Sequence, residues 1–432
     1  MPTELSPLQM GEGAQTRSNS THLGLIDQLR GVAILLVLFC HLYGYNFHWV
    51  LPWANGVRDF SAYGYESVLV QLFFLGRAGV PLFFVLSGFC IHWSCRQRKH
   101  FEIRRFLWQR FWRLYPAYLV VLVAVSYVGL KGHYFDPWAI KQFWTHVFLV
   151  HNYSNDTFWG ISPPFWSIAV EVQLYFLYPL LLAITRRAGW RGSFLVAGFV
   201  SAAWLVIATL IWGLPQEATS PVIASPLNTW LDWCLGAWIA ECYAKGHRAF
   251  PSNKLLPFLT LVCFVISTIY QPIILFNFFL ASVTSALWLD QLLHRKVKTH
   301  AKGFMVLLKN GIAWFGLISY SFYLWHDSVL VHGHDFITKL LSGHLPQSVR
   351  FALALGVPAL GATLLAYLSF RFLEKPGIQL GHLLLDRFCR RRATLTDQHA
   401  VPIAEKAVPL LDRLPVRFED EFATGKRGHQ HQ

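Results

Sequence analysis

Ten apolar runs separated by short polar connections limit what this chain can fold into. A helix that crosses a bilayer needs about 20 mostly apolar residues. Runs of that kind lie near residues 25–47, 67–94, 107–130, 163–185, 193–214, 227–244, 255–271, 273–292, 310–332 and 349–372. The second is interrupted at Gly76-Arg77-Ala78-Gly79-Val80-Pro81 and reads as a broken or partly re-entrant helix. Such a break is tolerated where the backbone lines a cavity or packs in protein.

Composition and charge placement agree. The chain is 54% apolar and only 14% charged, whereas a soluble domain carries about a quarter charged residues. A formal net charge of +14 would suggest nucleic acid in a soluble protein. Here the basic residues sit between the apolar runs, so topology accounts for them and no nucleic-acid partner is expected. They fall after the even-numbered runs: Arg96 to Arg113, Arg186 to Arg191, Lys245 to Lys254, and Arg295 to Lys309. The odd-numbered connections hold only Arg58, Lys131, Lys141, Lys339 and Arg350. That alternation predicts an all-α, polytopic membrane helix bundle of about ten transmembrane helices with both termini cytoplasmic. Residues 1–22 form a polar N-terminal segment without the look of a signal peptide, 23–376 the membrane domain, and 377–432 a basic, partly helical cytoplasmic tail. The seven cysteines make no C-x-x-C pair, so neither a disulfide framework nor a metal site is expected.

Ionisable residues at membrane depth are costly and face a bundle interior or a wet cavity. The first run carries three: Asp27, Arg30 and His41. Arg30 and His41 are eleven residues apart, almost three helical turns, so they leave one side of the helix, the histidine roughly 16 Å deeper. Asp27, three residues before Arg30, joins that side. Alone, Arg30 reads as a helix-end anchor and His41 as a hydrogen-bonded bundle histidine; together they outline a site. Arg110 and Arg113 share a face at the cytoplasmic mouth of the third helix. Paired guanidiniums suit phosphate, and a coenzyme A thioester or anionic lipid would satisfy them. The fourth helix carries a polar stripe of Ser167, Glu171, Tyr175 and Tyr178. Its glutamate fits either structural pairing with an arginine or proton handling. His326 reads as structural, and Glu374 as a partner for a mouth arginine or a cap on the bundle. The outer segment 131–162 holds His133, Trp138, Trp144, His151 and Trp159, which suit either an interfacial belt or sugar stacking.

Taken together, these pieces resemble the acyltransferase 3 family of integral membrane O-acyltransferases, from about Leu25 to Pro376. The resemblance rests on Arg30 and His41 with ten residues between them inside D-x-L-R-G-x-A, and on Phe83-Phe84-Val85-Leu86-Ser87-Gly88-Phe89. It also rests on Trp166-Ser167 with Glu171, on Ser319 to His326, and on Arg371 to Pro376. There are departures: the family's R-R-x-x-R reads Gln109-Arg110-Phe111-Trp112-Arg113, and a second acid often found after Glu171 is Val172. The resemblance implies transfer of an acyl group, commonly acetyl from acetyl-CoA, to a carbohydrate or glycolipid hydroxyl in a bacterial cytoplasmic membrane. Acyl-CoA is then a donor substrate, with no bound cofactor. It implies His41 and Glu171 as catalytic groups and Arg30, Arg110 and Arg113 as donor-binding groups. Asp27, Ser167, Tyr175, His326 and Glu374 support them. A proton-coupled transporter is the rival class. A His-rich di-metal oxidase is disfavoured, because clustered H-x-x-x-H patterns at cytoplasmic helix ends are absent.

Overall fold

The structure is a computed structural model that describes residues 24–42, 44, 53–59, 61, 75–98, 100–130, 132–213, 215, 220–295, 303–341 and 345–396. The polar segment before residue 24, the first part of the second run (67–74) and the tail beyond 396 lie outside the described residues.

Thirteen α-helices account for nearly all of it: α1 Gly24–Leu42, α2 Gly79–Arg96, α3 Ile103–Gly129, α4 Pro137–Val147, α5 Asn155–Phe158, α6 Phe165–Trp212 and α7 Pro226–Ala244. They continue as α8 Leu255–Ile269, α9 Asn277–Leu293, α10 Phe304–Leu317, α11 Ser319–Leu340, α12 Gln347–Ser369 and α13 Lys375–Thr396. A two-residue hairpin pairs Trp53–Ala54 with Val57–Arg58.

Polarity is distributed as lipid demands. Leu195, Phe199, Leu210, Leu307 and Leu360 are exposed, while Asn228, Asp232, His326, Asp327 and Glu374 are buried. In water that arrangement would waste the hydrophobic effect; in a bilayer it covers the polar groups. Among the described residues six helices are long and apolar enough to cross a membrane, or seven if one bent pair is a single span. Each of the ten expected runs has helix in its place, but their number as crossings is not fixed by this.

The fourth and fifth runs are two helical segments within α6, turned against each other at Gly189, whose φ of 66° is left-handed. Another run departs from the simple reading. The ninth is broken: α10 and α11 meet at 79° around Ile318. The described part of the second run opens with a 3-10 turn over Leu75–Ala78 and is α-helical from Gly79. Helix α2 packs closely on α7. A Cβ at Gly88 would run into the Trp233 carbonyl oxygen, and one at Gly236 into that of Val85. Small residues let helix backbones approach in this way, and the contact holds Ser87 beside Trp233.

Candidate functional site

Helix α1 is fixed first, because it carries the ionisable face. A Cβ on Gly31 would meet the Ile312 carbonyl oxygen, and one on Gly316 the Asp27 carbonyl oxygen. The α10 backbone therefore lies directly against the start of α1. This crossing aims Asp27 and Arg30 toward α2, α3 and α6, where they line a cavity of about 170 Å³. Arg110 and Arg113 of α3 line the same cavity, together with Ser87, Ser167, Glu171, Tyr175 and Tyr323. A single water needs about 10–15 Å³ of such space, so a substrate moiety fits.

The three guanidiniums set the character of one end of this cavity. Arg110 Nε is buried without a hydrogen-bond partner, a costly state unless a ligand supplies an acceptor. Asp27 lies within electrostatic reach of Arg30 and Arg113. Where the sequence has Gln109 in place of an arginine, Arg98 Nη2 donates to its Oε1 at 2.9 Å. The connection before α3 thus brings another guanidinium into the electrostatic neighbourhood of Arg110.

Deeper along the wall, Glu171 accepts from Tyr175 OH at 2.7 Å and from Ser87 Oγ at 3.0 Å. Trp233 Nε1 in turn donates to Ser87 Oγ at 3.3 Å. The glutamate is paired with hydroxyls rather than with an arginine. Tyr178 does not continue the stripe. Its hydroxyl lies 3.2 Å from His92 Nδ1, and His92 Nε2 lies 3.2 Å from Glu241. Glu374 is drawn inward by a single π-turn over Phe370–Glu374. It accepts from Ser321 Oγ at 2.7 Å, within electrostatic reach of Arg113 and Arg30.

His41 does not line the cavity that Arg30 lines. Tyr323 of α11 lines that cavity and its ring lies 5.2 Å from that of His326. Its hydroxyl is 2.7 Å from Ser167 Oγ and donates to the Pro164 carbonyl at 3.0 Å. His326 belongs to a second cluster. The rings of His41 and His326 meet edge-on, centroids 4.6 Å apart. His326 Nδ1 lies 2.8 Å from the Tyr323 carbonyl oxygen, so that nitrogen must carry the proton. His41 Nδ1 lies 3.2 Å from Asp327 Oδ1, and Ser162 Oγ donates to Asp327 Oδ2 at 3.3 Å. His41 keeps 17% of its side chain accessible, so a substrate can reach it.

All ten candidate residues thus fall in two groups: Asp27, Arg30, Arg110, Arg113, Ser167, Glu171, Tyr175 and Glu374 at or beside the cavity, and His41 with His326 in the second cluster. Sequence reasoning missed Ser87, Ser162, Tyr323 and Asp327. A carboxylate inside the apolar run 310–332 was the signal for Asp327; nothing in the sequence marks Ser162. In the outer segment, Trp138, Trp144 and Trp159 are exposed but His151 is fully buried. Its ring stacks on His146 at 3.8 Å. Burial lowers both histidines, His146 to about 4. Among the described residues no group of three His, Cys, Asp or Glu is placed to hold a metal ion.

Fold and site define a helical, membrane-type protein with a cavity lined by three guanidiniums and, next to its Tyr323, a pair of imidazoles. The acyltransferase domain family, acyltransferase 3, matches residues 24–368, and the chain belongs to it. It is 25% identical over 403 residues to the peptidoglycan O-acetyltransferase OatA of Listeria monocytogenes, covering 84% of this chain and 56% of that one. It is 24% identical over 409 residues to the acyltransferase MdmB of Streptomyces mycarofaciens, covering 90% and 95%. It is 26% identical over 384 residues to the putative peptidoglycan O-acetyltransferase YrhL of Bacillus subtilis, covering 81% and 54%. The chain spans little more than half the length of OatA and YrhL. No solved structure matches it. These relatives lend no support to the transporter reading.

Proposed function

We propose that this protein is an O-acyltransferase of the bacterial cytoplasmic membrane that moves acetyl from acetyl-CoA to a hydroxyl of a carbohydrate or glycolipid, such as a surface polysaccharide. One observation carries the reading: a single cavity is lined by three guanidiniums and by Tyr323, whose ring lies 5.2 Å from that of His326, the neighbour of His41. The kinship with OatA, YrhL and MdmB supports the reaction class.

In this mechanism Arg30, Arg110 and Arg113 hold the coenzyme A phosphates from the cytoplasmic side. The pantetheine arm lies along the wall of Ser87 and Glu171 and brings its thioester to Ser167 and Tyr323. Movement of the Tyr323 side chain opens the way to His41. A sugar hydroxyl is a poor nucleophile while it keeps its proton, so a base must take it. Imidazole suits that task near neutral pH. His41 removes the proton as the hydroxyl oxygen bonds to the acyl carbon. The carbon–sulfur bond breaks, and the coenzyme thiolate recovers the proton from the imidazolium, with Glu171 and its hydroxyl partners as a route. Direct transfer is preferred here to an acyl-histidine intermediate.

Mass analysis of surface glycans from cells with and without the protein tests the reading. The expected result is an acetyl-sized difference that His41→Gln abolishes, because an amide keeps hydrogen bonding but accepts no proton. Identical glycans in both cell lines sink the activity. Full acetylation by the Gln variant removes the base role.

A further inference from the structure

We infer that Asp327 is the positioning residue for His41, forming with it and Ser162 a buried Asp-His pair on which the transfer depends. The proposal rests on the reading of His41 as base. It assigns a role to a carboxylate that lies one residue beyond the family-like Ser319-to-His326 segment.

The first support is geometric. Asp327 Oδ1 is 3.2 Å from His41 Nδ1, with only 6% of the aspartate side chain exposed. A carboxylate that far from solvent is costly unless its oxygens are engaged. One oxygen faces the imidazole and the other accepts from Ser162 Oγ at 3.3 Å. Ser162 is itself fully buried, just before α6. The carboxylate is thereby held from two sides: by α1 through His41, and by the approach to α6 through Ser162.

The second support is the division of labour between the two histidines. His326 Nδ1 is committed to the Tyr323 carbonyl at 2.8 Å, so this ring is fixed by its own helix and offers His41 only a ring edge. Asp327 instead faces a ring nitrogen of His41. The contact is at ion-pair distance but outside hydrogen-bond geometry in this structure. A turn of the imidazole ring that aligns Nδ1–H with the carboxylate fixes the proton on Nδ1 and leaves the lone pair on Nε2 for the substrate. A base is competent only in the tautomer that presents its lone pair to the substrate. Misplacing that tautomer by an Asp→Asn change in a serine protease triad lowers kcat about 10⁴-fold. The acyl donor is held elsewhere, by the arginines, so the pair affects the chemical step and not donor binding.

The test uses the full chain in proteoliposomes, with acetyl-CoA as donor and de-O-acetylated surface glycan from cells lacking the protein as acceptor. Asp327→Asn should lower kcat by about 10²–10⁴-fold while the KM for acetyl-CoA moves less than about threefold. Asp327→Glu should recover a substantial part of the loss. Ser162→Ala keeps both charges and should lower kcat by about three- to tenfold, roughly the worth of one hydrogen bond. Adding Asp327→Asn to His41→Ala should cost nothing more, because the two act as a unit. The proposal is overturned by an Asp327→Asn variant with wild-type kcat. It is equally overturned if that variant loses donor affinity together with kcat and Glu rescues neither, which is the pattern of a structural residue. If the Asn variant fails to insert, unchanged kcat in Ser162→Ala and additive losses in the His41→Ala, Ser162→Ala double variant overturn it. Activity in His41→Gln defeats the underlying base reading instead, so the two failures are distinguishable.

Discussion

Arg110 and Arg113 show what a single side chain contributes here. Both line the cavity, and Arg110 Nε is buried without a partner, so each has donor capacity to offer a phosphate. A charge-assisted hydrogen bond is worth about 1.5–3 kcal/mol. Arg110→Ala or Arg113→Ala should therefore weaken acetyl-CoA binding by roughly 10- to 150-fold, read by equilibrium binding in nanodiscs. Raising the salt should imitate part of the loss. Unchanged affinity in both variants would mean that the pair serves topology alone. The three-residue spacing of the pair was visible in the sequence. The arrival of Arg98 at Gln109 was not, because it depends on how the connection at residues 97–102 folds back onto α3.

At the scale of elements, the outer segment makes a prediction of its own. Helix α4 turns Ala139, Gln142 and His146 inward and leaves Trp138 and Trp144 exposed. The stacked His146–His151 pair pins this segment close to the start of α6, where His146 also meets Phe165. Burial holds His146 at about 4 in the folded protein, against about 6.5 for a free histidine. Below pH 6.5 the unfolded chain binds a proton that the folded one refuses, so stability falls with pH until about 4. For His146 the full loss is on the order of 3 kcal/mol. The thermal midpoint should drop between pH 7 and pH 5 in the wild type and drop less in a His146→Gln, His151→Gln double variant. Parallel slopes would exclude the pair as the acid-labile element. Elements also mark where reading the sequence failed. Helical periodicity put Arg30 and His41 on one side of α1, yet Arg30 lines the cavity while His41 packs against His326 and Asp327 of another helix. The run 310–332 reads as one helix, since nothing in Phe315-Gly316-Leu317-Ile318 forbids it. The 79° bend there accompanies the tight crossing of α10 on α1, a tertiary contact that periodicity does not record.

On the scale of the whole molecule, the order of groups along the bundle only makes sense with a direction. The proposed function requires the arginines of the cavity to face the compartment that holds acetyl-CoA and His41 to lie toward the acceptor. The alternation of basic connections predicts that direction: Arg96 to Arg113 inside, residues 131–162 outside. That expectation rests on composition alone, because lysine and arginine resist translocation whatever the packing of the helices. Asn155 is a suitable reporter, since it begins the short α5 in the outer segment and is exposed. A cysteine placed there in a chain whose own cysteines are replaced should react with a membrane-impermeant maleimide in sealed cells. A cysteine at Arg104, exposed at the start of α3, should react only after permeabilisation. The reverse pattern would turn the bundle over and place the guanidiniums away from the donor, and the proposed mechanism would fail with it. Labelling of both sites in sealed cells would mean that α3 does not separate them across the membrane, and it would overturn the predicted topology.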